Sequence, residues 1–201
     1  MPQKSNFWKD YGLWMLLAFN VYTIYYCYIH PNEIHTVYVI FWMQSVSIGF
    51  FNVLGILTFN KKPMSAFVIN ETPKDSRGCT ALFFTFHYGM FHLVYLVFLT
   101  IKLVDLKQLD YTFIKLTFWI IIATGIIQYL HDKSRSKYQP VNVSTMFALP
   151  YARIIPMHLA ILAPSFFSIS PTVLFLVLKF LADIVMYIVY TRFVFSTKTN
   201  S

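Results

Sequence analysis

The sequence predicts an all-α bundle of six transmembrane helices with both termini in the cytoplasm. Three observations predict it. Of 201 residues, 57% are hydrophobic and only 12% charged, against about 25% charged in an ordinary soluble domain. The scarce charges do not interrupt uncharged runs of about 20 residues, the length that crosses a hydrocarbon layer. Lys and Arg recur in alternate connections, the pattern that fixes orientation in a membrane.

The first span, Tyr11–Ile29, is long, aromatic and without a small-residue cleavage site, so it reads as a retained helix and not as a signal peptide. The second, Val37–Phe59, carries Gln44, Ile48, Asn52 and Gly55 along one face, with Ser45 and Gly49 beside them, a small and polar seam suited to close packing. The third, Ala81–Leu103, places Thr85, Tyr88, His92 and Tyr95 on one stripe, with His87 about 100° from Tyr88. The fourth, Tyr111–Leu130, adds Thr124 and Gln128. The fifth, Pro150–Phe167, opens on a proline acceptable at a helix start, and Pro156 is expected to kink it just before His158. The sixth, Thr172–Phe195, bears Lys179 and Asp183 four residues apart on one face. Ser168–Pro171 divides the last two as a tight hairpin, since proline suits a first turn and serine a cap. Residues 1–201 form a single membrane domain on this reading.

Orientation follows from the connections. Lys4 and Lys9, Lys61 to Arg77, Lys133 to Lys137, and Arg192 with Lys198 all fall on one side when six spans are counted. The other side receives the His30–His35 loop, the Ser168–Pro171 turn and a third loop in which Asp105 and Asp110 balance Lys102 and Lys107. The same topology accounts for the net charge of +8, which in a soluble protein would suggest nucleic acid. No recognition helix or RNA-binding aromatic motif accompanies it, so nucleic acid is not an expected partner. The expected partners are the lipid bilayer and other membrane subunits or further copies of the chain. Cys27 and Cys79 lie at opposite ends of the bundle, too far apart to bridge.

Charged and polar groups within the spans carry the functional question, because each costs at least about 2.5 kcal/mol to insert at a helix centre if charged. His92, His158 and Asp183 come from three helices to a similar depth. With His87 they make a ligand set for zinc or another divalent ion, an open position of which would activate water. The plainer reading is that the histidines hydrogen-bond across helices, as Tyr88, Gln44 and Asn52 do, and that Asp183 pairs with Lys179. Proton or ion translocation is a third use of the same groups. Arg153, one turn inside the cytoplasmic face, either snorkels to lipid phosphates or holds an anionic head group of a substrate. A hydrolase acting on lipid or peptide and a non-enzymatic bundle therefore both stand. Only Glu33 and Glu71 are present, both in loops, and neither H-E-x-x-H nor G-x-S-x-G occurs, which removes the usual zinc-protease and serine-hydrolase motifs.

Phe86-His87-Tyr88-Gly89-Met90-Phe91-His92, Pro150-Tyr151-Ala152-Arg153 with Pro156-Met157-His158, and Lys179 with Asp183 resemble a family of uncharacterised bacterial six-helix membrane proteins. Trp42-Met43-Gln44-Ser45-Val46-Ser47-Ile48-Gly49 resembles the second helix of that family, which tends to be acidic where Gln44 stands. The resemblance implies a bacterial inner-membrane location and supplies no activity.

Overall fold

The computed structural model describes residues 11–30, 34–60, 77–139, 141–155, 171–190 and 194. Six α-helices form among them: α1 Tyr11–Ile29, α2 Ile34–Thr58, α3 Arg77–Phe98, α4 Tyr111–Ser136, α5 Val143–Ala148 and α6 Pro171–Val189. Their sequences are apolar almost throughout. In lipid, only a helix satisfies every backbone N–H and C=O within its own segment. Ile34–Thr58, Arg77–Ile101 and Tyr111–Ser136 are each long and apolar enough to cross a membrane. The outer surface agrees with lipid as the solvent, since Phe86 is 74% exposed and Trp119 68% exposed, an arrangement too costly in water when repeated over many large side chains.

The side-chain partners fix the direction of each helix. Trp42 Nε1 donates to the His92 carbonyl at 2.9 Å and Tyr88 Oη donates to the Ser45 carbonyl at 3.0 Å, so α3 runs antiparallel to α2. Along α4, the backbone N–H of Asp110 donates to Thr36 Oγ1 at 3.0 Å, Gly125 abuts Phe51, and Tyr129 Oη lies 2.9 Å from Thr58 Oγ1, so α4 runs parallel to α2. Tyr26, near the end of α1, stacks on Phe113 at 4.2 Å, which makes α1 antiparallel to α4. Phe175, near the start of α6, packs edge-on to Tyr38 and Phe41 at the start of α2, while Tyr190 meets Asp132 near the end of α4. Helix α6 therefore descends with α2 and α4.

Local chemistry explains the ends. Asp110 caps α4 by accepting from the Phe113 N–H at 2.9 Å, and Asn142 caps α5 by accepting from the Thr145 N–H at 3.2 Å. Helix α3 runs on as a π-helical turn, Leu99–Leu103, closed by a hydrogen bond of 2.8 Å from the Val104 N–H to the Leu99 carbonyl.

Helices α2 and α3 start three and four residues before the expected Val37 and Ala81, and two other boundaries shift further. Helix α4 does not stop at Leu130 but continues to Ser136, because Asp132 and Ser136 on its inward face are buried and hydrogen-bonded. The fifth segment starts earlier than Pro150. Helix α5 begins at Val143 and passes into a 3₁₀ stretch, Leu149–Arg153, within which Pro150 lies. This segment rises beside α3: Phe147 packs on Phe83 and Phe84, and Tyr151 on Phe84, His87 and Tyr88. Its foot is anchored where the Val141 N–H donates to the Asn60 carbonyl at 2.9 Å and the Asn142 N–H to the Val194 carbonyl at 2.7 Å. The expected kink at Pro156 and the serines of the hairpin lie outside the described residues.

Candidate functional site

The most polar point of the interior joins the first and last helices. Asn20 lies on the buried face of α1, with Leu13 below it and Thr23 and Cys27 above. On α6, a helix built mostly from Val, Leu, Ile and Phe, the i,i+4 spacing brings Lys179 and Asp183 to one face. The Lys179 ammonium donates to Asp183 Oδ2 at 2.8 Å and to Asn20 Oδ1 at 2.8 Å, while Asn20 Nδ2 donates to Asp183 Oδ2 at 3.2 Å. The three side chains close a ring. Lys179 is 1% exposed, and Asn20 and Asp183 are 3% exposed. The rings of Phe19 and Phe41 face the ammonium, with their centroids at 5.4 and 5.9 Å, at the distance where a desolvated cation gains from an aromatic face. Lys179 is one turn past Phe175, which packs on Tyr38 and Phe41, so the ring lies about 6 Å deeper than that contact.

A second polar cluster closes the end of the bundle where α4 and α6 finish. Buried Asp132 accepts at Oδ2 from Gln128 Nε2, 2.9 Å away, and from the Tyr190 hydroxyl. His131 Nδ1 lies 3.2 Å from Asp132 Oδ1, with the imidazole more than half exposed. Arg135 Nε donates to Gln139 Oε1 at 2.8 Å, and the Asn60 N–H donates to Ser136 Oγ at 3.4 Å. At the opposite end, the Tyr26 hydroxyl donates to Asp110 Oδ2 at 3.4 Å, and the Tyr26 ring packs against His30 at 5.0 Å.

The histidines of α3 part company. His92 is buried, and its Nδ1 lies 3.0 Å from the Tyr88 carbonyl one turn back, which assigns it as a donor there. His87 instead pairs through Nδ1 with the Tyr151 hydroxyl at 2.8 Å and packs between Phe83 and Phe91. Among the described residues, no three His, Cys, Asp or Glu side chains approach closely enough to hold a metal ion. His158 lies outside them. Arg153 ends the 3₁₀ stretch, and its side chain too lies outside what is described. Gln44 is half-buried on α2, and Asn52 is buried with its Nδ2 unpartnered among the described residues. Tyr88 lies over Gly49, where a Cβ would meet its ring, so the glycine is what permits the Tyr88–Ser45 hydrogen bond.

A family model describing proteins of unknown function, DUF6498, matches residues 3–198. The chain belongs to that family. The DUF6498 match covers nearly its whole length, in agreement with the resemblance to an uncharacterised family. No curated relative and no solved structure matches the chain. For this DUF6498 protein, function must therefore be argued from the buried polar groups.

Sequence reasoning marked Lys179 and Asp183, whose charge is conspicuous in an apolar helix. It passed over Asn20, Asp132 and Tyr190. A lone asparagine in a run such as Phe19-Asn20-Val21 has no periodic signal, and its partners are 159 and 163 residues away. Asp132 stands in a charged stretch that reads as a loop until α4 is seen to carry it inward.

Proposed function

We propose that this protein is a six-span integral membrane protein, both termini on the inner side, working as a non-enzymatic helix bundle whose buried polar groups tie the spans together. The directions of the described helices support six crossings. Helices α1 and α3 run one way and α2, α4 and α6 the other, while the segment from Val143 rises with α3. The inner side is the end that carries exposed Arg77, Lys133 and Lys137.

The single observation that carries the non-enzymatic reading is the ammonium of Lys179 on the carboxylate of Asp183. A divalent cation at that carboxylate would have to lie beside a buried positive charge, a repulsion of several kcal/mol at the low effective dielectric of a protein interior. The pair instead neutralises itself, and Asn20 satisfies what remains.

Metal analysis of detergent-purified protein, combined with thermal unfolding, tests the proposal. Wild type is expected to carry no stoichiometric zinc, iron or manganese, and His92→Ala to lower the unfolding temperature without altering metal content. Stoichiometric metal that disappears in His87→Ala, His92→Ala or His158→Ala would overturn it and return the chain to the metallo-hydrolase class.

A further inference from the structure

We infer that the α1–α6 interface is a proton path through the membrane, with the Lys179–Asp183–Asn20 ring as its central station. The inference goes beyond a static tie. It rests on the six-span reading for the statement that the path crosses a bilayer, and not on which side is inner.

The observation is the alignment of protonatable groups on α6. Lys179, Asp183, Tyr187 and Tyr190 follow at intervals of four, four and three residues, which places them within a wedge of about 80° on an ideal helix. The Tyr187 hydroxyl is buried, and the Tyr190 hydroxyl donates to Asp132. Asp132 in turn contacts His131, whose imidazole reaches the inner surface. One helix face thus joins the centre of the bundle to a solvent-exposed titratable group. From the centre outward the line passes to α1. Above Asn20 come buried Thr23, whose hydroxyl donates to the Phe19 carbonyl, and Tyr26, which turns toward α4; the Tyr26 hydroxyl reaches Asp110 and its ring packs on exposed His30. The line is bounded at each end by an aspartate in contact with a tyrosine hydroxyl, with exposed His131 on Asp132 at one end and exposed His30 on the Tyr26 ring at the other.

An apolar packing seam has no use for this sequence of groups. Leu or Phe at positions 187 and 190 would fill the same volume without burying a hydroxyl. The successive groups of α6 are separated by rises of about 4.5–6 Å, intervals that one or two bridging waters span. Among the described residues, Asp183 meets Lys179 on its own helix and Asn20 on α1, with Tyr187 one turn on along α6 and Phe19 and Phe41 against the Lys179 ammonium. Among the described residues, Asp132 meets Gln128 and His131 on α4 and Tyr190 beyond the end of α6, with Arg135 three residues on along α4. When Asp183 takes up a proton, its hold on the Lys179 ammonium weakens. When it releases that proton to the next carrier, the ion pair re-forms. Each carrier gives up one proton as it receives one, so one proton enters at one end for each that leaves at the other. The electrochemical gradient sets the direction, and no further reactant is consumed.

The test is proton flux in reconstituted vesicles of phosphatidylethanolamine and phosphatidylglycerol, with pyranine inside and a potassium–valinomycin potential imposed. Wild type is expected to change internal pH faster than protein-free vesicles. Asp183→Asn, which keeps a hydrogen-bond acceptor for Lys179, should fall to the protein-free rate, and Tyr187→Phe and Asp132→Asn should slow the flux while circular dichroism and unfolding temperature stay near wild type. Should Asp183→Asn fail to fold, Asp183→Glu is expected to retain flux, and Asp132→Asn then decides. Flux in wild type no faster than in empty vesicles, or flux unchanged in Asp183→Asn or, with folded protein, in both Tyr187→Phe and Asp132→Asn, overturns the path. Those results leave the helix-tie reading intact, because that reading is decided by metal content and stability.

Discussion

Lys179 lies with its ammonium between Asn20 Oδ1 and Asp183 Oδ2, and substitutions there separate what the pair contributes from the damage done by breaking it. Asp183→Leu alone leaves an uncompensated buried cation and is expected to lower stability by about 3–5 kcal/mol, whereas Lys179→Met with Asp183→Leu should recover most of that loss. Denaturant titration of the purified variants in detergent checks both. Equal losses in the single and double variants would contradict the ring as drawn. Glycines supply a second residue-scale comparison. A Cβ at Gly49 would meet the Tyr88 ring and one at Gly125 the Phe51 ring, while one at Gly89 meets nothing within 4 Å. Gly49→Ala and Gly125→Ala should each cost about 1–3 kcal/mol through overpacking. Gly89→Ala should be neutral or slightly stabilising, since alanine is the better helix former. Melting temperatures of the three variants, ranked together, make the check. Lys179 and Asp183 were legible in the sequence because charge is rare in an apolar run. Asn20 was not, because nothing local distinguishes a buried asparagine that closes an ion pair from one that faces a lipid head group.

At the scale of elements, hydropathy read α1 well, because its limits coincide with the apolar run Tyr11–Ile29. It ended α4 too early. Asp132, Lys133, Ser134, Arg135 and Ser136 average to a loop in any window, yet helical periodicity turns Asp132 and Ser136 inward and lets Lys133 face solvent. It also missed the foot of the fifth segment, since the six residues of α5 are too few for a window of spanning length. Their role shows only in packing: Val143, Met146 and Leu149 are buried, and Met146 lies against Gly55 of α2. Asp110 provides the test at this scale. It caps α4 and also accepts from Tyr26 of α1, so Asp110→Ala should cost about 1 kcal/mol for the cap and additionally loosen the end of α1. Hydrogen exchange localised to α1 and to the first turn of α4 would register both, and protection unchanged in α1 would exclude the link between them.

For the molecule as a whole, the proposed six-span arrangement makes a sided prediction. Exposed Cys79 near the start of α3 and a cysteine introduced at exposed Lys107 should react with an impermeant maleimide from opposite faces of sealed vesicles, with Cys79 reacting on the inner face. Buried Cys27 should stay silent in both preparations. Labelling of both exposed positions from one face would remove the crossing by α3. The ring between α1 and α6 also constrains how the molecule comes into being. Asn20 is made 159 residues before Lys179, to which it binds, an interval of about 8–30 seconds at ordinary translation speed. Until then α1 is held by its other contacts, among them Tyr26 on Phe113 and Asp110. Lys179 and Asp183 are the most expensive side chains to deliver into lipid, and they reach a bilayer that already holds their amide partner. The contact that joins α1 to α6 thus forms only once α6 is made, so a chain that stops before α6 leaves the Asn20 amide without the ion pair it binds.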